Sequence, residues 1–356
     1  MKVFFIISLI SLNIFFVSCS DYKTVTVAVI YPSRSEIAYY SRNGITLFLN
    51  DFKNIFKSYK LNLIQKPVEL RPDAIKNSFI EIEKEYKPLF YIVFTSFIAV
   101  SIKDIAKEFN APVFALASEP SLTESTDFMF RYFFSVDEQA LLYHRVIQQK
   151  GFKKITIFYQ NEPYSISVKD KLLDYLKRDN IKVKTYSFSI ELYKNRDEIK
   201  DISFDNDCLV ILGYKDNISS FLSILKERKY KGTLLLTLSF DKLDSVYDGV
   251  EVFVPVSKFN DPTNAISNKL KTEYKTLFDK DIESFSALFY DSLRLLFSFI
   301  HNNNFFSRKD ILKFYEKEFT YIGVFGIINK EKNKKDVFIP LKMGKIVDRK
   351  IIIDDK

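Results

Sequence analysis

The side chains best placed for chemistry are hydroxyls and aromatics that follow short apolar runs. Thr95-Ser96 follows Phe90 to Phe94, and Leu116-Ala117-Ser118 ends the run that begins at Val113. Tyr164 comes after Ile155 to Tyr159, Tyr214 after Cys208 to Leu212, and Ser239 to Asp241 after Thr233 to Leu238. Runs of this length, bounded by polar and Pro-containing loops, read as buried strands. A hydroxyl beside the free N–H groups of a helix start suits a carboxylate. Aromatic rings on a facing wall cover the rest of a small molecule and exclude water. The chemistry on offer is capture of a small polar ligand without covalent change.

Reactive chemistry is poorly served by comparison. His144 lies on a predicted helix and His301 at a helix end; neither shares a ligand spacing with Cys19 or Cys208, and H-E-x-x-H is absent. G-x-S-x-G, G-x-x-x-x-G-K-[ST] and G-x-G-x-x-G are also absent, and eight glycines leave little for phosphate-cradling loops. The acidic groups Glu81/Glu83/Glu85 and Asp205/Asp207 lie in stretches that read as solvated faces. No enzyme activity, cofactor or metal is expected. The net charge of +8, from 53 basic and 45 acidic side chains, is spread along the chain, densest at Lys330 to Lys335. Nucleic-acid readers concentrate charge on one face and interleave aromatics, so no nucleic-acid partner is expected.

The elements that must hold these side chains alternate between strand and helix, which argues for an α/β architecture with parallel sheets. Val25 to Ile30 is a strand, followed by a helix whose Ile45, Phe48, Leu49, Phe52, Ile55 and Phe56 share one face. A helix from Ser78 to Glu85, the strand Phe90 to Phe94 and a helix burying Ile98, Ile102, Ile105, Ala106 and Phe109 come next. Phe128 to Ser135 is extended and leads into a helix from Val136 to Gln149, ended by Gly151. Helices are then expected at Ser165 to Arg178, Ser219 to Arg228, Asn264 to Phe278 and Ser284 to His301, with strands at Val183 to Phe188 and Val252 to Val256.

The first residues set the compartment. Lys2 precedes an apolar run from Val3 to Val17, shorter than the roughly 20 residues of a membrane span, which reads as a secretory signal peptide. Its end, Phe16-Val17-Ser18-Cys19, resembles a bacterial lipoprotein box. That resemblance implies a lipid on Cys19 and a protein tethered to a membrane, in the periplasm or at the cell surface. Cys208 would then be alone, a small buried hydrophobe in an apolar run.

Three further pieces, P-V-F-A-L-A-S-E-P-S-L-T (Pro112 to Thr123), Phe130-Arg131 and Tyr159-x4-Tyr164, resemble the leucine/isoleucine/valine-binding branch of the type I periplasmic solute-binding proteins. The resemblance runs from about Val25 to Val347, carried by order and spacing. It implies two Rossmann-like lobes with parallel-sheet cores joined by a three-crossover hinge, with crossings near Ser135, Val256 and Phe325. Residues 1–19 would be the signal peptide, 24–135 plus 257–324 the N-terminal lobe, and 136–256 plus 325–354 the C-terminal lobe. Gly323 to Val347 would form a closing hairpin. In the family, the positions matching Ser96 and Ser118 hold an amino acid's carboxylate, and the position matching Leu116, next to Ala117, offers its backbone carbonyl to the ammonium group. Those matching Tyr164 and Tyr214 close over the ligand. Amino-acid binders carry an acidic residue where this chain has Ser239, with Asp241 two residues on, so the ligand is an amino acid or a related carboxylate or amide. An ABC permease is the implied partner. The other open reading is an envelope scaffold or activator lipoprotein of the same fold that binds no ligand.

Overall fold

The computed structural model describes residues 23–33, 36–124, 126–189, 206–238, 246–257, 259 and 263–353. Cys19 and the signal segment, Ser239 and Asp241 lie outside the described residues. The chain begins with β1 (Lys23–Pro32), α1 (Glu36–Ile55), β2 (Tyr59–Val68), α2 (Pro72–Tyr86), β3 (Phe90–Phe94), α3 (Ser96–Glu108), β4 (Val113–Leu116), α4 (Ser121–Glu124) and β5 (Met129–Phe134). It continues with α5 (Val136–Lys150), β6 (Lys154–Gln160), α6 (Pro163–Arg178), β7 (Lys182–Phe188), β8 (Cys208–Leu212), α7 (Lys215–Glu227), β9 (Thr233–Leu236) and β10 (Glu251–Ser257). After these come α8 (Ala265–Phe278), α9 (Ser284–Asn303), α10 (Arg308–Leu312), β11 (Phe319–Gly323), β12 (Gly326–Lys330), β13 (Asp336–Ile339), β14 (Leu341–Val347) and β15 (Lys350–Ile353).

Two sheets form the cores. The first has the order β13-β5-β4-β3-β1-β2 and every pairing in it is parallel. Parallel strands are covered on both faces, so their side chains alternate between two apolar layers. Val27 and Val29 of β1 pack with Phe48 of α1 and Phe297 of α9, whereas Ala28 and Ile30 pack with Phe79 of α2 and Ile98 of α3. The second sheet has the order β15-β14-β10-β9-β8-β6-β7; β14 and β15 join it antiparallel.

α9 is the pillar of the first lobe. Phe297 lies among Phe48 and Phe52 of α1 and Phe56 just beyond its end, with ring centroids 5.1–5.7 Å apart. Gly44 on α1 permits this approach, since a Cβ there would overlap the Ser286 carbonyl and the Phe289 side chain. On its other side α9 presents Asp291, fully buried, whose carboxylate accepts hydrogen bonds from Tyr132 Oη (2.6 Å), Tyr321 Oη (2.7 Å) and Val324 N (2.9 Å). One carboxylate thus joins β5, α9 and the β11–β12 turn.

The chain passes between the sheets at Ser135, after Ser257 and at Pro340. The last position corrects the expectation of a crossing near Phe325 and of a single closing hairpin. Among the described residues β11 and β12 pair only with each other, and β13 then adds to the first sheet with Asp336 to Ile339 opposite Arg131 to Phe134. Two contacts hold it there: Arg131 Nε donates to Asp336 Oδ1 at 2.6 Å, and Val337 and Ile339 are buried in the first core. The first lobe therefore keeps the chain to Ile339. Smaller differences are local. β2 had no counterpart in the expected elements, α2 starts at Pro72 instead of Ser78, α7 starts at Lys215 instead of Ser219, and Leu49 and Ile55 of the expected apolar stripe are exposed.

Candidate functional site

β3 and β4 are neighbours in register, Phe94 beside Leu116, so Thr95-Ser96 and Ala117-Ser118 emerge together at their carboxyl ends. Thr95 N donates to the Leu116 carbonyl (3.3 Å), and Thr95 Oγ1 caps α3 by accepting from Ile98 N (3.3 Å). Thr95 adopts φ 87°, ψ 145°, a strained backbone for a β-branched residue. Ser96 is buried as the first residue of α3, and Leu116 and Ala117 are buried at the strand end. Ser118 is 2% exposed, and its Oγ has no hydrogen-bond partner among the described residues. Its carbonyl accepts from Arg131 Nη1 at 2.7 Å, so Arg131, itself fixed by Asp336, sets the aim of this loop.

The second lobe supplies the facing wall from the ends of β6 and β8, which also pair directly. Buried Gln160 accepts from Tyr214 N (3.0 Å) and Asn217 Nδ2 (2.8 Å), tying the two loops together. Tyr214, half-buried, reaches across: its hydroxyl comes near the Thr95 side chain of the first lobe and lies 3.5 Å from Glu162 Oε2, to which it donates. Burial, and then the Glu162 charge, push this phenol well up, so it stays protonated. Tyr164, expected over the ligand, already has partners for its hydroxyl. Its hydroxyl is bound within the second lobe to Gln139 (2.9 Å), Thr237 (2.9 Å) and Leu238 N (3.4 Å). Its ring is wedged between the two cores.

The expected elements gave no role to Glu162, yet it is the most unusual group in the wall. It is 2% exposed and caps α6, accepting from Ser165 N at 2.7 Å and Tyr164 N at 3.0 Å. Burial pushes its carboxyl up to about 7 against the downward pull of those bonds. Among the described residues no basic side chain pairs with it. One signal pointed here: Pro163 marks the first helical position, which puts Glu162 at the cap directly beyond a strand. A second contact spans the lobes: Ser167 on α6 donates to Glu119 Oε2 in the loop after β4. No cluster of three or more His, Cys, Asp or Glu suited to a metal occurs among the described residues, and none of their helices is long and apolar enough to cross a membrane.

Sequence and structure comparisons place this arrangement among known proteins. Residues 49–298 match the profile described as the receptor family ligand binding region. A solute binding protein of an ABC transporter from Rhodopseudomonas palustris BisB5, solved with 3,4-dihydroxybenzoic acid, superposes with a TM-score of 0.80 at 16% identity, covering 93% of this chain and 96% of that one. The leucine binding protein LivK from Thermotoga maritima gives 0.78 at 18% identity, covering 93% and 97%. LivJ from Streptococcus pneumoniae, a branched-chain amino acid transporter substrate binding protein solved with isoleucine, gives 0.77 at 14%, covering 93% and 100%. No curated protein matches the sequence.

Proposed function

The chain belongs to the receptor family ligand binding region and has the type I periplasmic binding protein fold, and from that premise we propose that it is an extracytoplasmic solute-binding protein. It captures a small polar ligand, an amino acid or a related carboxylate or amide, by closing its lobes, and presents it to an ABC permease. The observation that carries this reading is Ser118 Oγ, a buried hydroxyl without a partner beside the N-terminus of α3, faced by Tyr214 of the other lobe. A hydroxyl in such a position lacks a hydrogen bond that a ligand carboxylate supplies. The relatives solved with 3,4-dihydroxybenzoic acid and with isoleucine both hold carboxyl-bearing molecules. A lipid on Cys19 would tether the protein at the membrane. Binding and release need no covalent step, cofactor or metal.

Tyr164 favours a second reading, because its hydroxyl is already satisfied within its own lobe. In that reading the protein is a ligand-free scaffold or activator of envelope machinery. A thermal-shift screen of the chain from Ser20 onward, against amino acids, short carboxylates, amides and aromatic acids, separates the two. Ligand bound only by the native state raises Tm with concentration. A rise with one class, weakened about tenfold by Ser118→Ala, supports the binder; a folded protein that responds to nothing supports the scaffold.

A further inference from the structure

We propose that Glu162 is the specificity-determining residue of this cleft: its carboxylate receives a cationic nitrogen of the ligand, and molecules that offer only an anionic group bind less well. The inference rests on the solute-binding reading. It starts from the imbalance of charge around Glu162. The donors that reach its carboxylate among the described residues are two backbone N–H groups and one phenol, all neutral. A carboxylate sealed from water without a cation is costly, and a cation delivered by the ligand relieves that cost. Carboxylates whose charge serves only a helix cap usually stay in water, where the same bonds form without the burial penalty.

Placement agrees with charge. Tyr214 Oη donates to Glu162 and comes near Thr95, whose N–H binds the Leu116 carbonyl at the start of the loop that carries Ser118, so Glu162 faces the first-lobe wall across this one phenol. The Tyr214–Glu162 contact, at 3.5 Å, is at the outer limit of a hydrogen bond, and a charged N–H donor at normal distance displaces it. The cleft is thereby polarised. Its first-lobe side offers N–H groups and hydroxyls to an anionic end, and its second-lobe side offers a carboxylate to a cationic end. The contact comes from the β6–α6 loop, well ahead of Ser239 in the sequence.

The test uses matched pairs that differ only in the amine: leucine with 4-methylpentanoate, and phenylalanine with 3-phenylpropanoate. Calorimetric titration of the full mature chain should show at least one amine-bearing partner binding roughly tenfold tighter than its amine-free counterpart. Glu162→Gln should bring that ratio near one. Glu162→Asp keeps a good helix cap and its charge but withdraws the carboxylate from the cleft, so it should fold and also lower the ratio. Equal binding of both partners by the wild type, or a ratio untouched in Glu162→Asp, overturns the assignment while leaving a solute-binding protein. Absence of binding to every compound overturns both.

Discussion

At the scale of single residues, two buried carboxylates, both raised by burial, serve different ends. Glu162 is raised to about 7 by burial, against an ordinary value of 4.5. A carboxyl held higher in the folded than in the unfolded chain stabilises most below its unfolded value, and that contribution disappears as pH rises through the folded one. The ligand-free protein should therefore lose about 3 kcal/mol of stability from this group between roughly pH 4.5 and 7.5. The ionisable neighbours facing Glu162 are the phenols of Tyr164 and Tyr214, both raised by burial, so they stay neutral across that range. Denaturant melts at several pH values check this, since Glu162→Gln should flatten the slope. Asp291 instead has three donors converging on it at 2.6–2.9 Å. Asp291→Asn replaces an all-acceptor group with one that must also donate, and should cost about 2–4 kcal/mol in an equilibrium melt. The sequence made the positions of Ser96, Ser118 and Tyr214 legible, because each comes two residues after a strand that continuous apolar runs reveal. Glu162 was hidden within a loop that looked merely polar, since neither burial nor the absence of a cation can be read from local sequence. Tyr164 was legible in position but not in partners, which come from α5 and the end of β9.

At the scale of elements, periodicity identified most strands and helices because sheets covered on both faces demand continuous apolar runs. It missed β2, where half-buried Leu61 and Leu63 alternate with polar residues on a sheet edge. It also misplaced the third crossing, because β13 is four residues long and its attachment depends on Arg131, more than 200 positions away. No local pattern carries that information. The tight contact of α1 and α9 yields a sharper expectation. Gly44→Ala should destabilise by about 1–3 kcal/mol through overpacking, although alanine favours helix at exposed sites. Equal stability of variant and parent in urea would show that the helices separate without loss.

At the scale of the whole molecule, the Ser167–Glu119 hydrogen bond ties the lobes together across the cleft, where Tyr214 also comes near Thr95. Ser167→Ala removes the hydroxyl that donates to Glu119 of the other lobe. A hydrogen bond of about 1 kcal/mol shifts an open–closed equilibrium several-fold, so solution scattering of the ligand-free variant should give a larger radius of gyration than wild type. An unchanged radius would mean that packing alone sets closure. The interleaved path has a further effect, on how the chain is born. The first sheet gains its last strand only with Asp336 to Ile339, and its phenylalanine-rich face, covered in part by α1, is completed only when α9 has followed at Ser284 to Asn303. A nascent chain therefore carries a sticky, unfinished half-domain through most of its synthesis and cannot lock its first lobe early. Such a chain depends on being kept apart from its neighbours until its final quarter arrives, and then both lobes can complete almost together.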